Sequence, residues 1–414
     1  MNKRNILVLS SSYPKFSGDV NGVFIHSFCK SLTSKFNIFV IAPWENGIAK
    51  EEVLDGVHII RHKQFLWNVN FAYGVGIEDK LKQNRLLYFV VPFFFFFQML
   101  EVRRVMREYD IGLIHAHWLI PSGLVAVFYK ILFKKKTRII STLLGSDVWS
   151  FNKGLKKKIL RFTCDKIDVI TAQSAPLREE IIQVGFKGIS YLLPLGIDTE
   201  KFKPNHLNND VRKKHEIKGF FLLFVGSIIE GKGVITLVES MALLKKRNDN
   251  FKLLIVGAGK LEHRLQLMIN QNGLENHVEL TGPIPNEELP PFFSSADIFV
   301  LPSFSEGFPL VVMEAISSGT VPVVSDLSVF ADNENREDLF YLVKAGNAEN
   351  IAQVLANLMD NPDEIKKRKD SLRKFAIENY EVTIIAERYA RVYEDLLENL
   401  TWHSNSSRLI KIKK

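Results

Sequence analysis

The sequence predicts a parallel α/β protein built as two doubly wound units, and three observations carry that expectation. Short β-branched runs alternate with amphipathic helical stretches. The alternation starts afresh near residue 219. Between the two series lies Pro194 to Asp210 (PLGIDTEKFKPNHLNND), rich in turn-formers and lacking an apolar period, as suits a linker. At 414 residues the chain fits two or three domains of roughly 150 residues each. The boundary is placed near residue 200, with a first domain over 1–200 and a second over 201–380.

In the first series the strand-like runs are NILVLS (Asn5 to Ser10), FNIFVIAP (Phe36 to Pro43), HIIRH (His58 to His62), IGLIHAH (Ile111 to His117), RIISTLLG (Arg138 to Gly145) and DVITAQS (Asp168 to Ser174). In the second they are FFLLFVGS (Phe220 to Ser227), FKLLIVGAG (Phe251 to Gly259), HVELTG (His277 to Gly282), DIFVLPS (Asp297 to Ser303) and VPVVSD (Val321 to Asp326). The stretch EVTIIAERYARVYEDLLENL then places Ile385, Tyr389, Val392 and Leu396 on one helical face, which predicts an amphipathic helix over about 381–400. Residues 401–414 read as a basic, frayed tail.

Composition excludes disorder and collagen-like repeats: 46% of residues are hydrophobic and 24% charged, with 24 Gly and 15 Pro. Two cysteines, Cys29 and Cys164, make neither a disulfide framework nor a four-thiolate zinc site, and they fit a reducing compartment. Only Ile6 to Leu9 follow Lys3 and Arg4 before a polar run, too short an apolar core for a secretory signal, so a cytoplasmic location is expected. The longest uncharged apolar stretch, Leu86 to Leu100, rises about 22 Å as a helix, short of the roughly 30 Å hydrocarbon core, and Pro92 is expected to interrupt it. It reads as a poor membrane span and a reasonable membrane-dipping segment.

Net charge is +8, and one segment holds the excess. From Lys130 to Lys166 eleven Lys or Arg face two Asp, a local +9, so the rest of the chain sums to −1. An anionic membrane surface is the first partner such a segment points to, with a solvated helix face as the alternative. Nucleic acid is disfavoured, because no nucleic-acid fold signature and no interleaved stacking aromatics accompany the charge.

The most informative string is SADIFVLPSFSEGFPLVVMEAISSGTVPVVSD. It predicts a buried strand ending at Pro302, a loop from Ser303 to Gly307, a helix with Pro309 at its first position, and a Gly319 stop. Loops at the carboxyl ends of parallel strands line the ligand crevice, which places Glu306 there. Backbone amides around Phe308 to Leu310 are then directed at an anion. Glu314 follows eight residues after Glu306, on the helix, in reach of the same pocket. Acids flanking a helix N-terminus suit a phosphate-bearing ligand whose sugar hydroxyls they bind. GAGKLE (Gly257 to Glu262) has only two glycines of a dinucleotide fingerprint, so a nicotinamide enzyme is not expected, and no His/Cys/Asp cluster has metal-ligand spacing.

That string resembles the E-x7-E motif of the retaining glycosyltransferases of family 4, with Glu306 and Glu314 in its two positions. The resemblance implies the GT-B fold: two Rossmann-like domains facing across a cleft, with the C-terminal helix crossing back to the first. LFVGSIIEGKGVITLVESM (Leu223 to Met241) looks like the family's donor-diphosphate segment, implying donor contacts from Gly226, Ser227 and Lys232, with Ser227 where many relatives carry arginine. SSYPKFSGDVNGVFIHSFCKSL resembles the first strand-to-helix loop, implying Gly18 and Gly22 at the donor phosphate. HAHWLIPSG implies His117 facing the transferred sugar or acceptor, and TLLGSDVW implies Gly145, Ser146 and Asp147 on the acceptor side. LPLGIDTEKFKP looks like the interdomain hinge, with Asp198 and Phe202 in matching places.

By resemblance the catalytic group is Glu306, His117 and Lys232, and Gly307, Phe308, Pro309 and Leu310 form the donor-binding helix start, with N–H donors from all of them but the proline. The implied reaction is metal-independent transfer of a sugar, with retention, from a nucleotide diphosphate sugar to a hydroxyl acceptor. That acceptor is a glycan or lipid-linked intermediate of bacterial polysaccharide or lipopolysaccharide synthesis, and no cofactor is implied. The stretch after VPVVSD departs from the family pattern over residues 327–345. A sugar-nucleotide epimerase of the same fold and a catalytically silent binding protein are the alternatives.

Overall fold

The structure is a computed structural model and describes residues 3–398 except 17, 20, 67–70, 73–76, 134–135, 152, 205–209 and 332–335. Parts of the linker, of the basic segment and of the 327–345 stretch, and the whole 401–414 tail, therefore lie outside the described residues. The chain divides into two compact units: unit 1 comprises Met1–Gly196 with Val382–Lys414, and unit 2 comprises Ile197–Glu381.

Among the described residues unit 1 has eight strands: β1 (Arg4–Leu9), β2 (Phe36–Pro43), β3 (Glu51–Leu54), β4 (Val57–His62), β5 (Ile111–His117), β6 (Arg138–Leu143), β7 (Val169–Ala172) and β8 (Ile189–Leu192). Their order is β3-β4-β2-β1-β5-β6-β7-β8, parallel except for the β3–β4 pair. Successive side chains of a strand point to opposite faces, so β1 sends Leu7 and Leu9 into one core and Ile6 and Val8 into the other. Helix layers on both faces account for the near-continuous apolar runs. Helices Val90–Glu108, Leu124–Leu132, Gly154–Cys164 and Ala175–Val184 cover one face. Helix Val23–Leu32 covers the other together with the chain's last described helix, Val382–Leu397. That last helix buries Ile385, Tyr389, Val392 and Leu396, the stripe read from the sequence. Cys29 and Cys164 are free and buried.

Unit 2 holds β9 (Phe220–Val225), β10 (Phe251–Val256), β11 (Val278–Gly282), β12 (Ile298–Leu301), β13 (Val321–Ser325) and β14 (Tyr341–Val343). The order β11-β10-β9-β12-β13-β14 is all parallel, the 3-2-1-4-5-6 order of a dinucleotide-type sheet. The start of the unit is folded tightly: Asp198 accepts the Lys201 amide at 2.8 Å, and Phe202 is seated in the core against Phe293, ring centroids 5.6 Å apart. Arg373 holds the same turn by donating to the carbonyls of Thr199, Phe202 and Ser317 at 2.9–3.2 Å.

One expectation is corrected. Pro92 does not break the apolar stretch, because it sits in the first turn of Val90–Glu108, where its missing N–H is not needed. A 3₁₀ turn, Arg85–Phe89, precedes that helix, so 24 residues from Arg85 to Glu108 form one apolar helical stretch, long enough to cross a membrane by length and composition. Its inner face, Val90, Phe94, Gln98, Val102 and Val105, is buried in unit 1.

Candidate active site

In an open parallel sheet the ligand crevice lies outside the carboxyl ends of the strands, where the strand order reverses. In unit 2 that point is between β9 and β12. The loop after β9 reaches Lys232 in a 3₁₀ turn, Glu230–Lys232, and enters helix Val234–Lys245 through Gly233. Gly233 has φ +68, and a Cβ there would lie 2.0 Å from the Pro302 carbonyl oxygen, so glycine is what lets the two loops close on each other. The Phe304 amide donates to the Gly231 carbonyl at 2.9 Å and completes the joint.

The joint brings Lys232 onto Glu306. The ammonium donates to both carboxylate oxygens, at 2.7 and 2.9 Å, and the Ser303 hydroxyl donates to Oε1 at 2.5 Å. The Glu306 side chain is 8% exposed and the Lys232 side chain 25%. A charge-assisted pair so enclosed is screened little by salt. Glu314 lies on helix Leu310–Ser317, half-buried. Burial pushes its carboxyl up to about 7, and the charge of Lys201 acts in the opposite direction. Lys201 itself donates to the Asn286 side chain.

Pro309 is the N-cap of this helix, one residue outside the position read from the sequence. The helix stops as expected: Gly319 (φ +73) follows the cap, with Thr320 N–H donating to Ala315 O at 2.9 Å and Gly319 N–H to Ile316 O at 3.0 Å. Gly307, Phe308 and Leu310 are half-buried at its start, and the Phe308 ring meets Tyr380 at 5.5 Å. Ser227 is exposed just beyond β9, and Gly226 N–H is taken by Val256 O.

In unit 1 the order reverses between β1 and β5. The loop after β1 turns into helix Val23–Leu32 at Gly22, φ +66, where a Cβ would meet the Ser12 carbonyl oxygen at 2.5 Å. Gly18 shares the positive φ, +92, but has open space around it. Asp19, which no sequence motif singles out, organises this loop: it accepts the Lys15 amide at 2.9 Å and the Asn21 side-chain amide at 2.8 Å.

His117 ends β5 fully buried, and neither ring nitrogen has a hydrogen-bond partner among the described residues. Burial pushes it down to about 3, so it is a neutral imidazole at ordinary pH. Its ring lies 4.3 Å from that of His115. His115 is the satisfied structural histidine: Nδ1 meets the Tyr393 hydroxyl at 2.5 Å and Nε2 the Thr142 hydroxyl at 2.7 Å. Asp147 is taken up by backbone: Oδ2 accepts Leu119 N–H at 2.7 Å, and Oδ1 accepts Gly145 N–H at 2.9 Å and Leu144 N–H at 3.2 Å. Burial raises its carboxyl to about 6 against those donors. The geometry makes Asp147 the clamp joining the loops after β5 and β6.

The first half of the chain, residues 22–201, matches the family model Glycosyltransferase Family 4, and residues 208–379 match Glycosyl transferases group 1. The chain belongs to this glycosyltransferase family. Among curated relatives, a putative teichuronic acid biosynthesis glycosyltransferase of Bacillus subtilis is 30% identical over 267 residues, 61% of this chain and 63% of that protein. A GDP-mannose-dependent phosphatidylinositol monomannoside mannosyltransferase of Mycobacterium tuberculosis is 27% identical over 64% of this chain and 70% of its own length. Among solved structures, sucrose-phosphate synthase of Thermosynechococcus elongatus matches with TM-score 0.79 over 96% of this chain and all of that chain, at 19% identity. Anabaena HepE, solved with UDP and glucose, matches with TM-score 0.74 over 95% of this chain and all of its own, at 14% identity. The fold of this glycosyltransferase is GT-B.

Proposed function

We propose that the protein transfers a sugar, with retention, from a nucleotide diphosphate sugar to a hydroxyl acceptor in the synthesis of a surface polysaccharide or glycolipid. The observation that carries the reading is the Lys232–Glu306–Ser303 cluster at the unit 2 reversal point. It places a cation and an acid where a helix start offers amides to a phosphate. Relatives named for teichuronic acid and phosphatidylinositol mannoside synthesis, and a like-folded protein solved with UDP and glucose, support the same class.

On this reading Glu306 holds Lys232 at the helix start until the donor arrives. The diphosphate then takes Lys232 and the amides of Gly307, Phe308 and Leu310, Glu306 turns to the donor sugar, and Glu314 accepts from the ribose hydroxyls. The acceptor hydroxyl attacks C1 on the face the diphosphate leaves, and the leaving phosphate oxygen takes its proton. Lys232 stabilises the charge that develops on the leaving group, and stabilisation of that kind commonly accounts for most of an enzyme's rate gain. The positive charge comes from protein, and no metal ion is invoked.

Thermal unfolding with UDP, GDP, ADP and their sugar conjugates tests the donor class, because a ligand bound only to the native state raises its melting temperature. One nucleotide family raises it, and Glu314→Ala abolishes the rise. No rise with any of them refutes the donor site. Conversion of the donor alone, without acceptor, would make the protein an epimerase.

A further inference from the structure

The outer surface of one helix layer of unit 1 carries chemistry that sugar transfer does not use. Helix Val90–Glu108 and the turn before it expose Leu86 (71%), Phe89 (73%), Phe96 (56%) and Leu100 (42%). Their spacings of three, seven and four residues put them on one stripe, which continues into exposed Arg103 and Arg107. The packed neighbour Leu124–Leu132 exposes Phe128, Ile131 and Leu132. Helix Gly154–Cys164 exposes Leu155 and Phe162, and the Phe128 and Phe162 rings lie 6.0 Å apart, so the apolar surface runs from one helix to the next. Large apolar side chains scattered singly are ordinary, but a run across three packed helices marks an interface.

The charge beside it is more focused than the sequence count. Lys130 and Arg138 are neutralised by Asp168, at 2.9 and 3.1 Å, a residue just outside the Lys130 to Lys166 segment. The cations on the exposed side of Gly154–Cys164 and the residue before it are Lys153, Lys156, Lys157, Lys158 and Arg161. Lys158 and Arg161 lie on the side of this helix that carries Leu155 and Phe162, and apolar side chains beside cations match an anionic bilayer, whose phosphates meet the cations while its acyl boundary takes the rings. A nucleic acid matches only the cations. A crossing of the bilayer by Arg85–Glu108 would strip Phe94, Val102 and Val105, at most 1% exposed, from the unit 1 core.

We propose that this face of unit 1 is a docking surface for an anionic lipid bilayer, with Phe89, Phe96 and Leu100 entering the interface and Lys158 and Arg161, on the side of their helix that carries Leu155 and Phe162, meeting lipid phosphates. The inference is independent of the sugar-transfer reading.

The test is flotation of the full chain with vesicles of phosphatidylcholine alone and with about 30 mol% phosphatidylglycerol added. The chain floats with the anionic vesicles and much less with the neutral ones. Replacing Lys158 and Arg161 by Gln lowers partitioning roughly fivefold per charge. Phe89→Ser with Phe96→Ser lowers it about tenfold or more, with an unchanged melting temperature because both side chains are exposed. Absence of flotation at low salt overturns the proposal. So does flotation that the Lys158 and Arg161 changes abolish and the phenylalanine changes leave intact, since a bare basic face that attracts any polyanion behaves that way. Tighter binding to an RNA homopolymer than to the vesicles likewise overturns it.

Discussion

The strand-order reversals of the two units are built alike and left in opposite states. In unit 2 the polar groups satisfy one another: Lys232, Glu306 and Ser303 form a closed cluster. In unit 1 the end of β5 leaves both nitrogens of a fully buried imidazole without a partner among the described residues. A ligand at the first site must break an ion pair and replace it with something as strongly charged, as a diphosphate does. A ligand at the second gains by supplying a hydrogen bond that the protein lacks, as a sugar hydroxyl does. On the proposed function, the difference assigns charge selection to unit 2 and hydroxyl recognition to unit 1.

Lys232→Ala tests the first half most severely. Transfer should fall about 10²–10³-fold, the effect of losing one stabiliser of developing charge. Stability should fall as well, by about 1–3 kcal/mol, because the nearly buried Glu306 loses its cation. Steady-state kinetics and chemical denaturation read the two, and full activity in this variant removes Lys232 from the site.

His117→Leu should separate what Lys232→Ala joins. An unpartnered buried polar group is a liability in the free protein, so the variant should be as stable or up to about 1 kcal/mol more stable while transfer drops about tenfold or more. A marked loss of stability would show that the ring has a structural partner and would break the comparison.

The smallest effect concerns Glu314. Its carboxyl is raised from 4.5 to about 7 in the fold, so the native state holds the proton more tightly than the unfolded chain does. Stability attributable to this group is therefore whole below pH of about 4.5 and lost as pH rises through about 7. Glu314→Gln should gain on the wild type by about 1 kcal/mol across that window, a figure reduced for the solvent reaching a half-buried side chain. Melting temperatures of the two proteins that run parallel from pH 4 to pH 8, a span of about 4 units, would show an unperturbed carboxyl.

Strands were legible in the sequence where they are buried on both faces. The three that escaped, β3, β8 and β14, are all sheet edges. Edge strands are short and half-exposed, as EEVL, ISYL and YLV are, so no continuous apolar run announces them. The sequence singled out Glu306 and Lys232 from loops that follow strands, and the fold brings those two side chains together. The site was less legible where a role depends on which backbone amide a side chain finds. Asp147 reads as a cleft acid in TLLGSDVW, and only the fold shows three amides converging on it. His115 and His117 are two residues apart on one strand and look equivalent, yet Tyr393, 278 positions away, satisfies only the former.

The two ends of unit 2 meet. Ile197 pairs with Glu381 as an isolated bridge, the Ile197 amide donates to Tyr380 O at 2.8 Å, and Thr199 N–H donates to the Glu381 carboxylate at 3.1 Å. Unit 2 is thus an insertion whose entrance and exit are stitched together, while unit 1 is written in two pieces of the chain. During synthesis unit 2 has every residue it needs before unit 1 does. The sheet made first waits, with the face that takes Tyr389 and Tyr393 uncovered, for the helix made last. Shortening the chain from residue 382 onward would then injure not the neighbouring unit but the one that began nearly four hundred residues earlier.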